Sequence, residues 1–387
     1  MPGKHAFLSA SAADRWGNCP GSAHLATLFP ESHSLAAEEG TLAHELAELS
    51  ISEQDLGDLP ERVDKFYKDH TELPGDFKVM ENIIAPYVNF VRAEYIATKN
   101  KDEAAVLSTE ERVDFSEYVP DGFGTSDVVI VGDDMIEVID LKYGKGVPVS
   151  AIGNPQIRLY ALGAIAAYDL VYDFSKVKMV IYQPRLDSVT EETMTVEELK
   201  AWAQEFIVPA AQEAMSDTPS YHAGEWCQSH FCPAAGSCRT RAEYFLALER
   251  HSGKEPGLLT DEELADCLTR IDALGDFAKR LGEYCLNEAL SGHKIPGWKI
   301  VEGRSVRKYT DEDQVAAKLK AEGYDEALLY ERSLLGITKM EGMLGKKAFK
   351  QILEGAGLVH KPAGAPKLAP DADKRPEYSQ AKADFED

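Results

Sequence analysis

A β-hairpin near the middle of the chain constrains the fold most. Two runs rich in β-branched residues, 127–131 and 135–141, are separated only by Gly132, Asp133 and Asp134, which signal a tight turn. Helical patterns lie before and after this hairpin, and a further apolar run follows them. The sequence therefore predicts an α/β fold in which a mixed sheet is flanked by helices.

The elements around the hairpin follow from hydrophobic periodicity. Apolar residues recur at helical spacing before the hairpin and again after it, whereas two other segments carry the residues typical of strands. The cysteine-rich segment 226–238 is predicted to be a turn region, and 258–292 to hold two helical stretches. The remaining predicted elements are helices at 36–53, 80–98, 153–168 and around 195–215, and strands at 104–115 and 177–183.

Two aspartates and a lysine lie at one end of the predicted hairpin. Asp127 opens the first strand and Asp140 nearly closes the second, so the antiparallel pairing brings the two carboxylates to one edge of the sheet. Lys142 is two residues beyond Asp140 and projects from the same face. Carboxylate oxygens suit Mg²⁺ or Mn²⁺, and a lysine can activate a water or neutralise a developing oxyanion. A structural alternative makes Asp140 a strand-end acid with Lys142 as its surface partner.

A histidine lies on the first long predicted helix. Gly40 and Thr41 can begin the helix, and His44 and Glu48 are four residues apart, so they share one helix face. An imidazole is a plausible additional metal ligand. The alternative is a surface histidine paired with Glu48 or Glu45.

A glutamine and a tyrosine share a face of the helix that follows the lysine. Gln156 and Tyr160 are four residues apart in the predicted helix 153–168. The alternative is a tyrosine packed in the core beside a solvated glutamine.

Four of the six cysteines have a spacing typical of a metal-binding site: Cys19, far upstream, and Cys227, Cys232 and Cys238 in the pattern C-x4-C-x5-C. Three clustered thiolates and one distant thiolate are the number needed for a [4Fe–4S] cluster or for a structural zinc. In the zinc alternative, His222 or His230 would replace one cysteine.

The order of these motifs resembles that of a known nuclease superfamily. G-T-x-x-H, an aspartate, D-x-K and Q-x-x-x-Y follow one another as in the RecB-like branch of the PD-(D/E)XK superfamily. The resemblance implies a restriction-endonuclease-like core and a metal-dependent deoxyribonuclease. It also implies roles for seven residues: Asp127, Asp140 and the Leu141 carbonyl as ligands of Mg²⁺ or Mn²⁺, His44 as a ligand or tuning group, Lys142 at the attacking water, and Gln156 and Tyr160 at the DNA strand.

The cysteines strengthen the same resemblance. Some RecB-like nucleases carry one cysteine before the nuclease core and three after it, bound to an iron–sulfur cluster that ties the ends together, and this similarity favours the cluster over zinc. Segments 8–22 and 338–349 also resemble an uncharacterised family encoded by phages and prophages. That context implies an exonuclease of phage recombination or DNA processing in the cytoplasm of a bacterial host.

The formal net charge of −25 limits how DNA would bind. Non-specific DNA binding relies on Lys and Arg at phosphates, so we expect DNA to enter a local cleft and meet its metal. No apolar run is long enough for a membrane span. A phage single-strand annealing protein or a helicase would be a further partner, and an oligomer is compatible with the sequence. The alternative function is a non-catalytic phage protein that kept the nuclease fold and binds other proteins.

The length and the motif positions predict three regions. Residues 1–250 would form the RecB-like nuclease domain with its iron–sulfur site, and residues 251–360 a mainly helical C-terminal domain. Residues 361–387, rich in Pro, Ala and charge, are predicted to be a flexible tail.

Overall fold

A computed structural model describes most of the chain up to residue 299 and short segments beyond it. The described residues are 6–29, 35–51, 59–69, 77–229, 232–252, 259–299, 337, 341–342, 345–355 and 358–359. The chain divides into two compact units, Met1–Val301 and Glu302–Asp387. The first unit thus extends past residue 250, where the sequence predicts a domain boundary. The predicted tail, 361–387, lies outside the described residues.

A five-stranded mixed sheet forms the centre of the first unit, with the strands in sequence order from edge to edge. Neighbouring strands are antiparallel except for the third and fourth, which are parallel. The mixed α/β architecture predicted from the sequence is therefore confirmed. The strands are β1 (Val106–Asp114), β2 (Phe123–Val131), β3 (Met135–Leu141), β4 (Lys176–Gln183) and β5 (Ser188–Thr195).

Helices precede, interrupt and follow the strands. Those described in the first unit are α1 (Ala13–Asn18), α2 (Ser22–Ala26), α3 (Leu35–Ile51), α4 (Leu59–Asp69), α5 (Phe77–Lys99), α6 (Pro155–Tyr168), α7 (Val196–Trp202), α8 (Val208–Ala214), α9 (Trp226–Ser229), α10 (Arg239–Leu246) and α11 (Asp261–Leu290). A π-helical turn, Ala203–Ile207, joins α7 to α8. The second unit contains α12 (Lys346–Phe349), which continues as a π-helical turn. None of the described helices is both long and apolar enough to cross a bilayer.

The sheet buries an apolar layer on each face, because successive side chains of a strand point to opposite sides. Val128 and Ile130 of β2 pack with α3 and α5, whereas Val129 and Val131 pack with α6, α7 and α8. Helix α6 makes the crossover from β3 to the parallel strand β4. The two layers thus hold α3 and α6, the two helices that carry predicted site residues, against opposite faces of one sheet.

Two sequence predictions differ from the structure. In the segment predicted to hold two helical stretches, the structure has one helix, Asp261–Leu290 (α11), and a capping box between Thr260 and Glu263 fixes its start. Strand β5 is not among the predicted elements. Its residues are mostly Thr and Glu, and none of them is fully buried, so the sequence carries no strong strand pattern there. Its pairing with β4 shows that it is a strand.

A close contact between α6 and β1 depends on Gly163. A Cβ at that position would lie 2.9 Å from Val113 Cβ and 3.1 Å from the backbone N and O of Asp114. We expect Gly163→Ala to lower the free energy of unfolding by about 1–3 kcal/mol, because the helix must move off the strand. Urea unfolding measures this change.

Gly275 provides the matched control, since a Cβ there meets nothing within 4 Å on α11. Gly275→Ala should raise the free energy of unfolding by about 0.5–1 kcal/mol. Gly275 lies inside a helix, and alanine has fewer conformations to lose on folding than glycine. Equal effects at the two positions would show that the α6–β1 contact is not as close as described.

Candidate active site

The β2–β3 hairpin brings two predicted metal ligands together. Asp127 and Asp140 each lie one residue beyond the paired residues Val128 and Ile139. The Asp127 carboxylate accepts a hydrogen bond from the backbone N–H of Leu141 at 2.7 Å, which ties the middle of β2 to the end of β3. The two carboxylates lie near each other as expected from the hairpin, but Asp127 does not open its strand as the sequence predicts, because β2 begins four residues earlier, at Phe123.

Helix α3 supplies His44 to the same place. The apolar face of α3, which includes Ala43 and Leu46, is buried against α5 and the sheet. His44 follows Ala43 directly and lies beside Asp127 of β2. His44 Nδ1 lies 3.1 Å from Asp127 Oδ1. Burial disfavours the charged imidazole, but the charge and hydrogen bond of Asp127 outweigh burial and raise the pKa of His44.

Asp140 and Lys142 form a buried ion pair beside these residues. Asp140 is only 3% exposed, and Lys142 Nζ lies 2.9 Å from its Oδ2 and 3.2 Å from its Oδ1. Burial raises the pKa of Asp140 against the opposing charge of Lys142. Burial also works against the charge on Lys142, yet Asp140 holds the pKa of that ammonium above its usual range. The Asp140–Lys142 pair of the structural alternative is thus present, with Asp140 buried and Lys142 partly exposed.

Helix α6 begins so that Gln156 reaches this pair. The Asn154 side chain caps the helix by accepting hydrogen bonds from the N–H groups of Gln156 and Ile157. The Gln156 side chain then makes three contacts: Oε1 accepts from Lys142 at 3.0 Å, and Nε2 donates to Asp140 at 3.3 Å and to the Tyr160 hydroxyl at 3.2 Å. Tyr160 packs in the core, as the structural alternative expects, whereas Gln156 is half-buried and hydrogen-bonded to both members of the pair.

Tyr160 lies against the backbone of β2, and a glycine makes room for it. A Cβ on Gly124 would approach the Tyr160 ring to 2.6 Å. Burial, and then the negative charge of Asp140, raises the pKa of the phenol, so Tyr160 is held as a neutral hydroxyl. The seven predicted site residues thus lie together: His44, Asp127 and the Leu141 backbone form one hydrogen-bonded set, and Asp140, Lys142, Gln156 and Tyr160 form the adjoining one.

Glu110 is a site residue that the sequence motifs do not indicate. It lies in β1 between Thr109 and Glu111, which pair with Val128 and Ser126, and therefore stands across from Asp127. Donor atoms of His44, Glu110 and Asp127 all lie within 4.8 Å of one another, and they are the one such His, Cys, Asp or Glu group among the described residues.

The backbone of Glu110 has a φ of 48°, a left-handed conformation that residues other than glycine rarely adopt. Although Glu110 is exposed as a residue, its carboxylate lies close to His44 and Asp127. Desolvation there, followed by the charge of Asp127, raises its pKa to about 7. A glutamate in the middle of a polar edge strand carries no signal in the sequence that would set it apart from Glu111 beside it.

The comparison with protein families identifies the chain. The family described as "Protein of unknown function (DUF2800)" matches residues 5–376. The chain belongs to the DUF2800 family. Among solved structures, the crystal structure of SSO0001 is similar to the DUF2800 protein over 54% of this chain and 95% of that chain, at 16% identity and a TM-score of 0.24. A likeness at that TM-score says nothing about shared fold or function.

The DUF2800 protein brings the four spaced cysteines into one region of the fold. Cys19 follows α1, Cys227 lies in α9, and Cys232 and Cys238 precede the next two helical segments. The first three are buried, and Cys238 is half-buried. Burial raises the pKa of Cys19, and the nearby thiols of Cys227 and Cys232 raise it further, against the His222 N–H that donates to its sulfur.

The sulfur atoms nevertheless do not form a metal-binding cluster. Among the described residues, no three cysteine sulfurs lie within 4.8 Å of one another. A tetrahedral zinc with Zn–S bonds of about 2.3 Å needs sulfurs about 3.8 Å apart. The His222 imidazole is hydrogen-bonded to Ser220 at 2.7 Å, and His230 lies outside the described residues.

The site of the DUF2800 protein combines a candidate group for a cation with a lysine beside it. Carboxylates and an imidazole converge for a hard divalent cation, and a lysine lies beside them for a developing negative charge. A neutral amide and phenol continue the group along α6. Burial raises the pKa values of Asp140 and Glu110, and a bound cation would restore the ionised form of both.

Proposed function

We propose that this protein is a metal-dependent deoxyribonuclease of the RecB-like branch of the PD-(D/E)XK superfamily, and that it hydrolyses phosphodiester bonds as an exonuclease in phage recombination or DNA processing. One observation carries the proposal. The donor atoms of His44, Glu110 and Asp127 converge beside the hydrogen-bonded group of Asp140, Lys142, Gln156 and Tyr160.

The donor set fits Mg²⁺ or Mn²⁺, which prefer oxygen ligands. The residues that would hold the cation are His44, Glu110 and Asp127, whose donor atoms converge, together with Asp140 and the Leu141 carbonyl, which the resemblance implies. The buried Asp140 Oδ2 supports this fit, since it has no well-aligned hydrogen bond among the described residues although Lys142 Nζ is 2.9 Å away. A bound cation supplies Lewis acidity at the phosphate and lowers the pKa of a water.

The other side chains position the reacting groups. The Lys142 ammonium, held by Asp140 and Gln156, lies where it can orient the attacking water and stabilise the charge that develops on the phosphate. Gln156 fixes Lys142 and Asp140 relative to each other. The neutral Tyr160 hydroxyl can hydrogen-bond to the DNA strand without repelling it.

The acidic charge of the chain agrees with a confined substrate path. With a net charge of −25, the protein as a whole does not attract phosphates. Its affinity for DNA must therefore come from the bound metal ion and from basic side chains near it. This predicts a nuclease that depends on its metal for binding DNA as well as for cleaving it.

We assign Cys19, Cys227, Cys232 and Cys238 to a [4Fe–4S] cluster, with structural zinc as the alternative. The four cysteines come from two ends of the proposed nuclease region, which suits a structural role, although no three of their described sulfur atoms lie within 4.8 Å of one another. Arginine charges surround them: Arg241 and Arg280 lower the pKa of Cys227, and Arg15 lowers that of Cys232, although burial raises both. Such charges would offset those of the thiolates of a cluster.

Incubation of end-labelled linear DNA, single- and double-stranded, with the purified protein tests the function. We expect degradation with Mg²⁺ or Mn²⁺, none in a chelator, and a ladder from one end as the product of an exonuclease. Intact DNA with both cations would contradict the proposal and leave the non-catalytic role in protein binding.

A further inference from the structure

One face of α11 is held against the rest of the first unit. The Arg270 guanidinium donates a hydrogen bond to the backbone carbonyl of Tyr244 at 2.7 Å. Two turns further along, the ring of Phe277 stacks on that of Phe245, with 5.1 Å between the ring centroids. These contacts fix the rotation of α11 about its own axis, so the opposite face of the helix is turned away from α10.

That opposite face carries an exposed row of apolar residues. Leu264, Leu268 and Ile271 are 45%, 51% and 55% exposed. Small residues continue the row toward the C-terminal end of the helix, and a Cβ on either of its two glycines would meet nothing within 4 Å. This row, the α11 seam, consists of Leu264, Leu268, Ile271, Gly275, Ala278 and Gly282. A continuous apolar surface of this kind is typical of a protein–protein contact.

The spacing along the α11 seam is that of a coiled coil. Its members are alternately four and three residues apart, which is the heptad spacing that keeps one row facing a partner helix. None of its members is charged or polar. The seam therefore has the pattern of a surface that a second helix covers.

The α11 seam is complementary to itself when two copies of the helix run antiparallel. Its N-terminal half carries three large side chains, and its C-terminal half carries three small residues. The layers of an antiparallel pair are Leu264 with Gly282, Leu268 with Ala278, and Ile271 with Gly275. Each layer thus joins one large residue to one small residue, and a two-fold axis repeats every layer. A parallel pair would set glycine against glycine and leave space that no side chain fills.

The dimensions of α11 set the strength of such a contact. The helix has 30 residues, and at about 1.5 Å per residue it is about 45 Å long. A contact about 10–12 Å wide along its length would bury about 500 Å² on each copy and about 1,000 Å² in total, which lies at the lower end of specific interfaces. Leu281 and Leu286 flank the seam and are also exposed, so they add apolar area at its sides.

We propose that two copies of this protein associate through the α11 seam as an antiparallel dimer with two-fold symmetry. The occupant is a second copy of this chain, because the large and small halves of the seam match each other at the same spacing. The area predicts a dissociation constant on the order of micromolar. The proposal does not depend on the proposed nuclease function, since it uses no residue of the candidate active site.

Sedimentation velocity of the full-length protein over a range of concentrations tests the proposal. We expect monomer to give way to dimer at micromolar concentrations. Leu268→Glu places a carboxylate in two layers of the dimer, opposite Ala278, and should raise the dissociation constant by about 100-fold or more, because a charge would be buried without a partner. Ile96→Glu is the matched control: Ile96 is an exposed aliphatic residue on α5, outside the seam, and its replacement should leave the dimer unchanged.

Leu268→Ala keeps the test valid if the glutamate disturbs folding, because alanine favours a helix and introduces no charge. It should raise the dissociation constant by about 10-fold, as expected when one buried leucine is truncated in an interface.

A photo-crosslinking amino acid at position 264 tests the orientation of the two helices. In the antiparallel dimer it should link to the peptide that contains Gly282, which lies about 27 Å away along the same helix and is therefore reached only in the partner copy. Mass spectrometry of the linked peptides identifies the contact. A protein that stays monomeric at every concentration would overturn the proposal, as would equal weakening by Leu268→Glu and Ile96→Glu. Links from position 264 only to position 264 of the other copy, or only to other segments of the same chain, would also overturn it.

Discussion

We expect Lys142→Met to lower the rate of the proposed metal-dependent DNA degradation by about 100- to 1,000-fold, the usual cost of removing one donor that stabilises developing charge. The ammonium is the cation that contacts both Asp140 and Gln156, so methionine removes it while keeping most of the side-chain length. Initial rates on end-labelled DNA at saturating Mn²⁺ measure the effect. Binding of Mn²⁺ should persist, because Lys142 is not a ligand.

Asp140→Asn separates the role of the ligand from that of the lysine. It should lose both cleavage and Mn²⁺ affinity, since Asp140 is the buried carboxylate proposed to help hold the cation. Lys176→Met is the matched control: Lys176 is exposed at the start of β4, where it pairs with Met135 at the end of the sheet away from Asp140. Unchanged rates in Lys142→Met, or a loss of similar size in Lys176→Met, would refute the assigned role of Lys142.

The sequence predicted much of this site because its motifs lie on regular elements. A tight turn fixes the register of β2 and β3, which places Asp127 and Asp140 next to the paired residues Val128 and Ile139. Helical spacing likewise puts Gln156 and Tyr160 on one face, and the N-cap at Asn154 decides where that face begins. Local rules of this kind can be applied to a single sequence.

Glu110 escaped prediction because its role depends on the tertiary structure. In the sequence it is one of two adjacent glutamates in a polar edge strand. Only its left-handed backbone and the placement of α3 over β1 bring it to His44. Sequence patterns similarly predicted that four cysteines belong together, but not how far apart their sulfur atoms lie.

Cys232→Ala should destabilise the first unit strongly and remove the brown colour of the purified protein. A cluster that joins Cys19 to Cys232 would close a loop that contains nearly the whole nuclease region. In the chain-entropy treatment of cross-links, closing a loop of about 100 residues or more contributes about 5 kcal/mol. Loss of that link should lower the unfolding midpoint by roughly 10 °C or more. Visible absorbance, iron content and thermal unfolding measure the three parts of this prediction.

Cys285→Ala is the control for Cys232→Ala, because Cys285 is a half-buried thiol on α11 outside the set of four. It should keep both iron and colour and change stability by about 1 kcal/mol at most, as expected for small truncations away from a buried network. A colourless wild-type protein that contains zinc, with the same loss of stability in Cys232→Ala, would replace iron–sulfur by structural zinc. A wild-type protein without either metal, together with a Cys232→Ala variant as stable as Cys285→Ala, would refute a metal site here. The four cysteines would then be thiols without a metal. The N-terminal segment would be held by the packing of side chains such as Trp16, which is buried in the same core as the residues of α6.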